Sequence, residues 1–405
     1  MNIFQSSPTS SPVYDTVLAL LRSSLWGEAR FPFHAPENTD WDAVYRELRQ
    51  QTVQNLPVDL LCRENPAQTA VYTKNAVQNM RHWLKIMQVQ QSLCQQLQSA
   101  GIPCVVLKGA AVACDYPEPT NRVMGDIDLL VDPKNFDRAR QILAAAAEYH
   151  RDTRRHTKFT KNTIAIELHR VFGEMRNPEK NTILDQRLFS AIASSESVSI
   201  DHYSFPKLPA VEHGLSLLFH IDVHLEVGLG LRQILDWMLY VDKVMTDTLW
   251  YTEFEPFVNQ LERRKLAITV TRMCQIYLGL REDITWCLDA DEALCKELME
   301  YIFLQGNFGK KTQKGLNRAV SIIQSSKNIT SFFQIMQHQG CRKWPALTHY
   351  PCLKPFAWLY QIIRYISLGF RMKHPLLLLK NALKTSHTSG NLMEELGVSR
   401  IGKTN

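Results

Sequence analysis

The chain has 405 residues, of which 45% are hydrophobic and 21% charged, a composition typical of a folded globular protein. The net charge of +6 is small for this length, so it excludes a strongly basic surface and gives only weak support for polyanionic ligands. Nine cysteines without a CxxC pair, no signal-like start and no run of about 18 apolar residues predict a cytoplasmic chain with reduced thiols and no transmembrane segment.

The first hundred residues carry helical periodicity. Apolar residues at helical spacing predict helices that begin at Asp15 and cover 40–51 and 67–100. On the last of these, one apolar side is expected to face inward, and it carries Val71, Ala76, Met80, Trp83, Leu84, Met87 and Leu93 or Leu97. Because Gly101-Ile102-Pro103 cannot continue a helix, residues 1–100 are predicted to form a helical amino-terminal part.

The next stretch, Pro103 to Val131, has a different pattern. Residues 104–107 are predicted to form a buried strand, and after Lys108-Gly109 a helix from Ala110 would direct its free amides at an anion. A second strand carries Asp126 and Asp128, which share one face because strand side chains alternate. Two carboxylates on an otherwise apolar strand are costly unless they hold a cation, so the pair is predicted to bind a metal.

A third acidic residue lies further along. The sequence predicts a helix over 132–149, a basic segment over 151–161 and an alternating strand over 163–169. That strand presents Glu167 and His169 on one face. The basic segment is expected to be a solvent-exposed hairpin, with contact to nucleotide or nucleic acid as the alternative.

The remainder is predicted to be mostly helical. After a loop-rich piece, helices are expected over 211–227, 231–246, 254–279, 290–304 and 316–338. His220 and His224 do not fit the H-E-x-x-H zinc motif, so their helix is expected to line a cleft or to pack. The aromatic stretch 350–379 is expected to close the helical core, with peripheral membrane contact as the alternative, and 386–405 to be a disordered tail.

Three motifs, LKGAAVACDYP, NRVMGDIDLLV and IAIELHR, together resemble the nucleotidyltransferase fold of the DNA polymerase beta superfamily. More narrowly, they resemble an uncharacterised bacterial nucleotidyltransferase family with the series L-K-G, R-x(3)-D-I-D-L-L-V and E-L-H. His220 and the segment LRQILD at 231–236 extend the resemblance, which covers about 70–250. It implies an α+β fold in which a minimal nucleotidyltransferase core at 101–205, a small mixed sheet with flanking helices, is embedded between the amino-terminal helices and a helical carboxy-terminal domain at 206–385.

The resemblance also implies roles for nine residues. Asp126, Asp128 and Glu167 would be catalytic and would bind Mg²⁺, with two ions expected and Mn²⁺ as a substitute. The expected nucleotide contacts are Lys108, Gly109, Arg122 and Gly125. His169 and His220 are expected to contact the acceptor or to orient the carboxylates. Lys108 stands where the superfamily has a small residue, so the expected phosphate geometry differs there.

The implied activity is Mg²⁺-dependent transfer of a nucleoside monophosphate from an NTP to a hydroxyl group, or a similar group, with release of pyrophosphate. The acceptor would be a small molecule, a sugar, a peptide or a protein, and no motif indicates which. Two alternatives remain: a non-catalytic, nucleotide-binding regulatory module, and a template-independent RNA-modifying transferase. The composition carries no strong basic signal that would favour RNA.

Overall fold

A computed structural model describes residues 9, 11–153, 155–175, 177–309, 311, 356 and 391–398. The described chain is α+β, as predicted, with one mixed sheet enclosed by helices. The amino-terminal helices are α1 (Pro12–Trp26), α2 (Trp41–Gln51), α3 (Val58–Glu64) and α4 (Thr69–Ser99). The carboxylate of Asp40 begins α2 by accepting a hydrogen bond of 2.9 Å from the Ala43 amide.

Seven strands form the sheet in the described chain. They are β1 (Cys104–Val106), β2 (Asp126–Val131), β3 (Glu148–Asp152), β4 (His156–Lys161), β5 (Ile164–His169), β6 (Glu196–Ile200) and β7 (Tyr203–Lys207). Their spatial order is β3-β4-β5-β2-β1-β7-β6. The pairs β2–β5 and β1–β7 are parallel and the other neighbours antiparallel, so β2 lies near the middle of a mixed sheet.

The remaining helices either lie between strands or follow the sheet. Between strands are α5 (Ala110–Ala113), α6 (Phe136–Ala146) and α7 (Pro178–Ala191). After the sheet come α8 (Ala210–Val227), α9 (Leu231–Lys243), α10 (Asp247–Leu249), α11 (Glu255–Gln260), α12 (Arg264–Leu278) and α13 (Glu292–Gln305). The predicted helical pair around Gly228-Leu229-Gly230 is confirmed by α8 and α9.

Alternation along β2 divides its side chains between two hydrophobic cores. Ile127 and Leu129 are buried in a core that α4 and α6 share with the sheet. Leu130 points the other way, into a larger core that combines amino-terminal and carboxy-terminal helices. Asp126 and Asp128 lie on the same face as Leu130. The acidic face of the sheet is therefore directed toward the larger core, which combines amino-terminal and carboxy-terminal helices.

Several predicted boundaries are wrong. The helix expected over 132–149 ends at Ala146, and Glu148 begins β3. The loop-rich piece after Arg170 contains α7, β6 and β7, which the sequence did not predict. The helix expected from Ala110 is one turn long. On the side of α4 that was expected to face inward, Val71, Met80 and Leu84 are exposed, whereas Trp83, Met87, Leu93 and Leu97 are buried, together with Ile86.

The described part of the predicted disordered tail is ordered. Residues 391–395 are helical, and Leu392 and Leu396 are fully buried. The Arg263 side chain donates a hydrogen bond of 2.9 Å to the Gly397 carbonyl. The predicted helix 316–338 and, apart from residue 356, the stretch 350–379 lie outside the described residues. The domain boundaries stay predictions.

The described cysteines are free thiols, as expected. Within the described ranges, no helix combines the length and hydropathy that crossing a lipid bilayer requires.

Candidate active site

The parallel pairing of β2 and β5 assembles a carboxylate cluster, defined as Asp126, Asp128 and Glu167. In the register of the two strands Asp128 lies beside Glu167, and Asp126 lies one alternation earlier on the same face. One carboxylate oxygen from each residue falls within 4.8 Å of the others. Three converging carboxylates are the donor set that a hard divalent cation prefers, so the residues fit the predicted metal.

Two neighbours stabilise the charge of Asp128 inside the protein. Asp128 is 2% exposed, and burial alone would raise its pKa. The Lys108 ammonium, 3.1 Å from Oδ2, and His169, whose Nε2 lies 2.8 Å from Oδ1, outweigh burial and hold the pKa well below its usual range. Because an ionised carboxylate only accepts hydrogen bonds, Nε2 of His169 carries the proton in this contact.

The pKa of Asp126 is shifted in the opposite direction. The charge of Asp128, followed by the low solvation at the floor of the cleft, raises the pKa of Asp126 above its ordinary value. The side chain itself remains open to the cleft. A carboxylate that is repelled by its neighbour and still accessible is one that gains from a bound cation.

Glu167 uses its two oxygens differently. Lys158, directly opposite it on β4, donates to Oε1. Oε2 faces two imidazoles, with His156 Nδ1 at 3.4 Å and His169 Nε2 at 3.9 Å. Burial lowers the pKa of His156 to about 4. His156 and Lys158 were not predicted to be in the site, because the basic segment was expected to be solvent-exposed.

The turn before α5 requires glycine at its second position. Gly109 has φ +62 and ψ −113, a backbone conformation that L side chains rarely adopt. The helix that follows has only four residues, so the predicted anion site at its amino terminus lacks the length that a strong helix dipole needs. Any phosphate contact here would depend on the Gly109 turn and the Lys108 side chain.

Arg122 joins the sheet to the helices. Its guanidinium is 5% exposed and pairs with Asp236 on α9, Nε to Oδ1 at 2.8 Å and Nη2 to Oδ2 at 2.6 Å. The Tyr116 hydroxyl donates to the same Oδ1 at 2.7 Å. Two donors of the guanidinium are therefore already occupied, and the predicted phosphate contact of Arg122 stays a prediction.

The opposite side of the cleft, the helical wall, consists of side chains from α8 and α9. The rings of His220 and His224 lie edge to face, 4.4 Å apart. Burial lowers the pKa of both, that of His224 to about 3, so both imidazoles are neutral at physiological pH. Arg232 donates to the Val123 carbonyl at 3.1 Å and lies over the Phe308 ring at 5.7 Å.

Arg232 is the functional candidate that sequence reasoning missed. Among the described residues it forms no ion pair, and its Nε is buried without a hydrogen-bond partner. Its charge nevertheless acts on the nearby Asp126 carboxylate. The LRQILD segment, which contains Arg232, was recognised in the sequence as part of the family resemblance. Nothing in that segment indicates that its arginine faces a strand more than a hundred residues earlier.

One cleft of about 180 Å³ is lined by all nine residues that the sequence predicted. Gly125 lies at its floor, where an added Cβ would meet nothing within 4 Å. Arg155, Phe172 and Arg232 are among the other lining residues and add cationic and aromatic groups. The structure thus brings the predicted residues together, while their individual roles stay predictions.

A mixed sheet that presents three carboxylates to a cleft, next to a Lys-Gly turn, defines the nucleotidyltransferase class of site. The comparison with protein families agrees. The chain belongs to the uncharacterised nucleotidyltransferase family, whose profile matches residues 37–279, more than half of the sequence. The matched range includes the whole sheet together with α8 and α9. A comparison with curated proteins gives no match.

Proposed function

We propose that the protein transfers a nucleoside monophosphate from an NTP to a hydroxyl group, or a similar group, of an unidentified small molecule, sugar, peptide or protein. The observation that supports this most strongly is the carboxylate cluster, whose oxygens converge within 4.8 Å in a cleft that also contains unpaired cationic charge. Membership of a nucleotidyltransferase family supports the general reaction.

Asp126, Asp128 and Glu167 would hold Mg²⁺, with two ions expected. Bound Mg²⁺ would supply charge neutralisation of the triphosphate and a lower pKa of the attacking hydroxyl. Lys108 and Arg232 are placed on opposite sides of the cleft, where their side chains would contact phosphate oxygens. The Gly109 turn and the open space at Gly125 leave room for the triphosphate to approach the backbone.

The bond changes balance without a further reactant. The acceptor oxygen forms a bond to the α-phosphorus, the bond from the α-phosphorus to the bridging oxygen of the β-phosphate breaks, and pyrophosphate leaves. The acceptor loses one proton, which the Glu167 carboxylate would accept. His169 holds Asp128 through Nε2 and would thereby keep the cluster oriented.

One observation favours a second candidate, the non-catalytic nucleotide sensor. Lys108 already neutralises Asp128, the most deeply buried member of the cluster, at 3.1 Å. A lysine that stays on Asp128 would compete with a metal ion and permit nucleotide binding without turnover. In the transferase, Lys108 would instead move from Asp128 to phosphate when nucleotide and metal enter.

An assay that does not require a known acceptor separates these functions. The protein is incubated with α-labelled NTPs, Mg²⁺ or Mn²⁺ and a cell extract, and both macromolecular and small-molecule label are followed together with pyrophosphate. An Asp126→Asn/Asp128→Asn variant removes two carboxylate charges from the cluster at nearly constant volume. Asp137→Asn, an exposed carboxylate on α6, is the matched control.

We expect wild type and Asp137→Asn to transfer label and release pyrophosphate, and the double variant to do neither while retaining its circular dichroism spectrum. Nucleotide binding without turnover over a broad acceptor panel would replace the transferase with the sensor. Label confined to RNA would select the RNA-modifying alternative.

A further inference from the structure

The face of the sheet that carries the carboxylate cluster also carries a second group of metal-ligating atoms. His156 Nδ1, Glu167 Oε2 and His169 Nε2 lie within 4.8 Å of one another. We propose that His156, Glu167 and His169 form a binding site for a divalent transition-metal ion such as Zn²⁺, adjacent to the carboxylate cluster and sharing Glu167 with it. We call it the imidazole site.

The backbone positions the two imidazoles. In the antiparallel register of β4 and β5, His156 lies directly opposite His169, and Glu167 lies one alternation away on the same face. The two rings are 5.4 Å apart and inclined by 61°. Their spacing is thus fixed by strand pairing and does not depend on a loop.

The two ring nitrogens of His156 are available as metal ligands. The residue is 9% exposed, and within the described chain neither Nδ1 nor Nε2 forms a hydrogen bond. A buried imidazole whose nitrogens form no hydrogen bond is costly, and binding a metal ion is one arrangement that satisfies these nitrogens. Asn162 and Thr163, both with positive φ, form the tight turn that brings this histidine to Glu167.

The distances are close to those expected around a common ion. Ligand atoms that each lie 2.0 to 2.2 Å from one metal are separated by about 3 to 3.5 Å. The observed separations from Glu167 Oε2 are 3.4 Å to His156 and 3.9 Å to His169. Lys158 occupies only Oε1 and leaves Oε2 for the imidazoles. Binding would displace the proton that His169 Nε2 now donates to Asp128.

The donor set predicts a different ion from that of the carboxylate cluster. Oxygen-only sites suit Mg²⁺, whereas imidazole nitrogens select zinc and other transition metals. Because ligation removes the hydrogen bond from His169 to Asp128, the metal-bound imidazole site and the hydrogen-bonded carboxylate cluster are alternative states of the same residues. The imidazole site requires no nucleotidyl transfer, so its test does not depend on the proposed function.

The test uses the full-length, metal-free protein and Co²⁺ alone, whose visible d–d absorption reports ligation. We expect wild type to give saturable absorption and His156→Ala to weaken Co²⁺ binding by at least about tenfold, since even loss of a supporting neighbour costs that much. Asp126→Asn, which leaves all three proposed ligands, should weaken it far less. His150→Ala, an exposed histidine on β3, is the control and should bind as wild type does.

Equal Co²⁺ binding by wild type and His156→Ala, or no saturable absorption in wild type, would overturn the proposal. Should His156→Ala fail to fold, as judged by circular dichroism, X-ray absorption of the Zn²⁺-loaded wild type decides the question. Two imidazoles among the zinc ligands are expected there, and a shell of oxygen ligands alone would refute the site.

Discussion

The two walls of the cleft are built by different physical means. On the sheet side, acidic and basic groups compensate one another, as Asp128 does with Lys108 in the turn before α5 and Glu167 with Lys158 on the neighbouring strand. On the helical wall, His220 and His224 are neutral because burial lowers their pKa, and Arg232 keeps an unpaired charge. Carboxylates therefore dominate the sheet side of the cleft, whereas the helical wall presents neutral imidazoles and one guanidinium.

The two sides are joined by the buried pair of Arg122 and Asp236. Asp236→Ala would leave the guanidinium buried without its carboxylate and Tyr116 without its acceptor. We expect the free energy of unfolding to fall by about 3 to 5 kcal/mol, measured by denaturant titration. Asp242→Ala, a more accessible carboxylate on the same helix, should cost about 1 kcal/mol or less. Similar losses in the two variants would mean that this pair does not join the walls.

Arg232→Gln tests the proposed contact of the helical wall with the phosphates of the nucleotide. A charge-assisted hydrogen bond to phosphate contributes about 1.5 to 3 kcal/mol, so NTP affinity should fall about 10- to 100-fold in calorimetry. The matched control is Arg138→Gln on the exposed side of α6, which loses the same charge far from the cleft. Equal affinities for the two variants would remove Arg232 from the nucleotide site.

Gly109→Ala tests the turn on the sheet side. An added Cβ would meet only ordinary contacts, with Met124 Sδ at 3.6 Å and the Asp126 carbonyl at 3.7 Å, so the cost is conformational. We expect a loss of about 1 to 3 kcal/mol in unfolding free energy, because alanine rarely adopts φ +62. Gly27→Ala, which also has positive φ and open space but lies away from the cleft, should cost a similar amount without changing NTP affinity. An unchanged stability of Gly109→Ala would contradict the described turn.

Measured over a single pH unit, the buried histidines of the helical wall give the smallest expected effect. The folded-state pKa of His224, about 3, lies below the unfolded value near 6.5, so the unfolded chain binds the extra proton. The contribution of neutral His224 to the free energy of unfolding is fully present above about pH 6.5. It is lost as the pH falls toward 3, by at most about 1.4 kcal/mol per pH unit. His224→Leu should reduce that slope between pH 6 and 5 by about this amount in denaturant titrations. An unaltered slope would show that His224 is protonated in the folded protein.

The sheet side was largely predictable because alternation is a local property. Once Asp126, Asp128 and Glu167 were placed on alternating strands, their convergence needed only parallel pairing. What the sequence did not reveal was β4 beside them. Its hairpin turns at Asn162-Thr163, where both residues have positive φ without a glycine, so the turn carries no strong sequence signal. Lys158 and His156 were therefore expected in solvent.

The helical wall could be predicted only as helices. Periodicity indicated α8 and α9, but which of their faces meets the sheet depends on contacts across more than a hundred residues, such as Arg232 to Val123. The same limit explains the partial error on α4, where burial includes Trp83 and Met87 of the predicted side but leaves Met80 and Leu84 of that side exposed. The strands β6 and β7 escaped prediction because both are short and β7 contains Pro206.

The most direct test of the nucleotidyltransferase account is a crystal structure of the protein with Mn²⁺ and an NTP analogue that cannot be cleaved between the α- and β-phosphates. The account predicts anomalous manganese density among Asp126, Asp128 and Glu167, with Lys108 moved from Asp128 to a phosphate oxygen. Manganese density elsewhere, or bound nucleotide with Lys108 still on Asp128 and no metal in the carboxylate cluster, would contradict it.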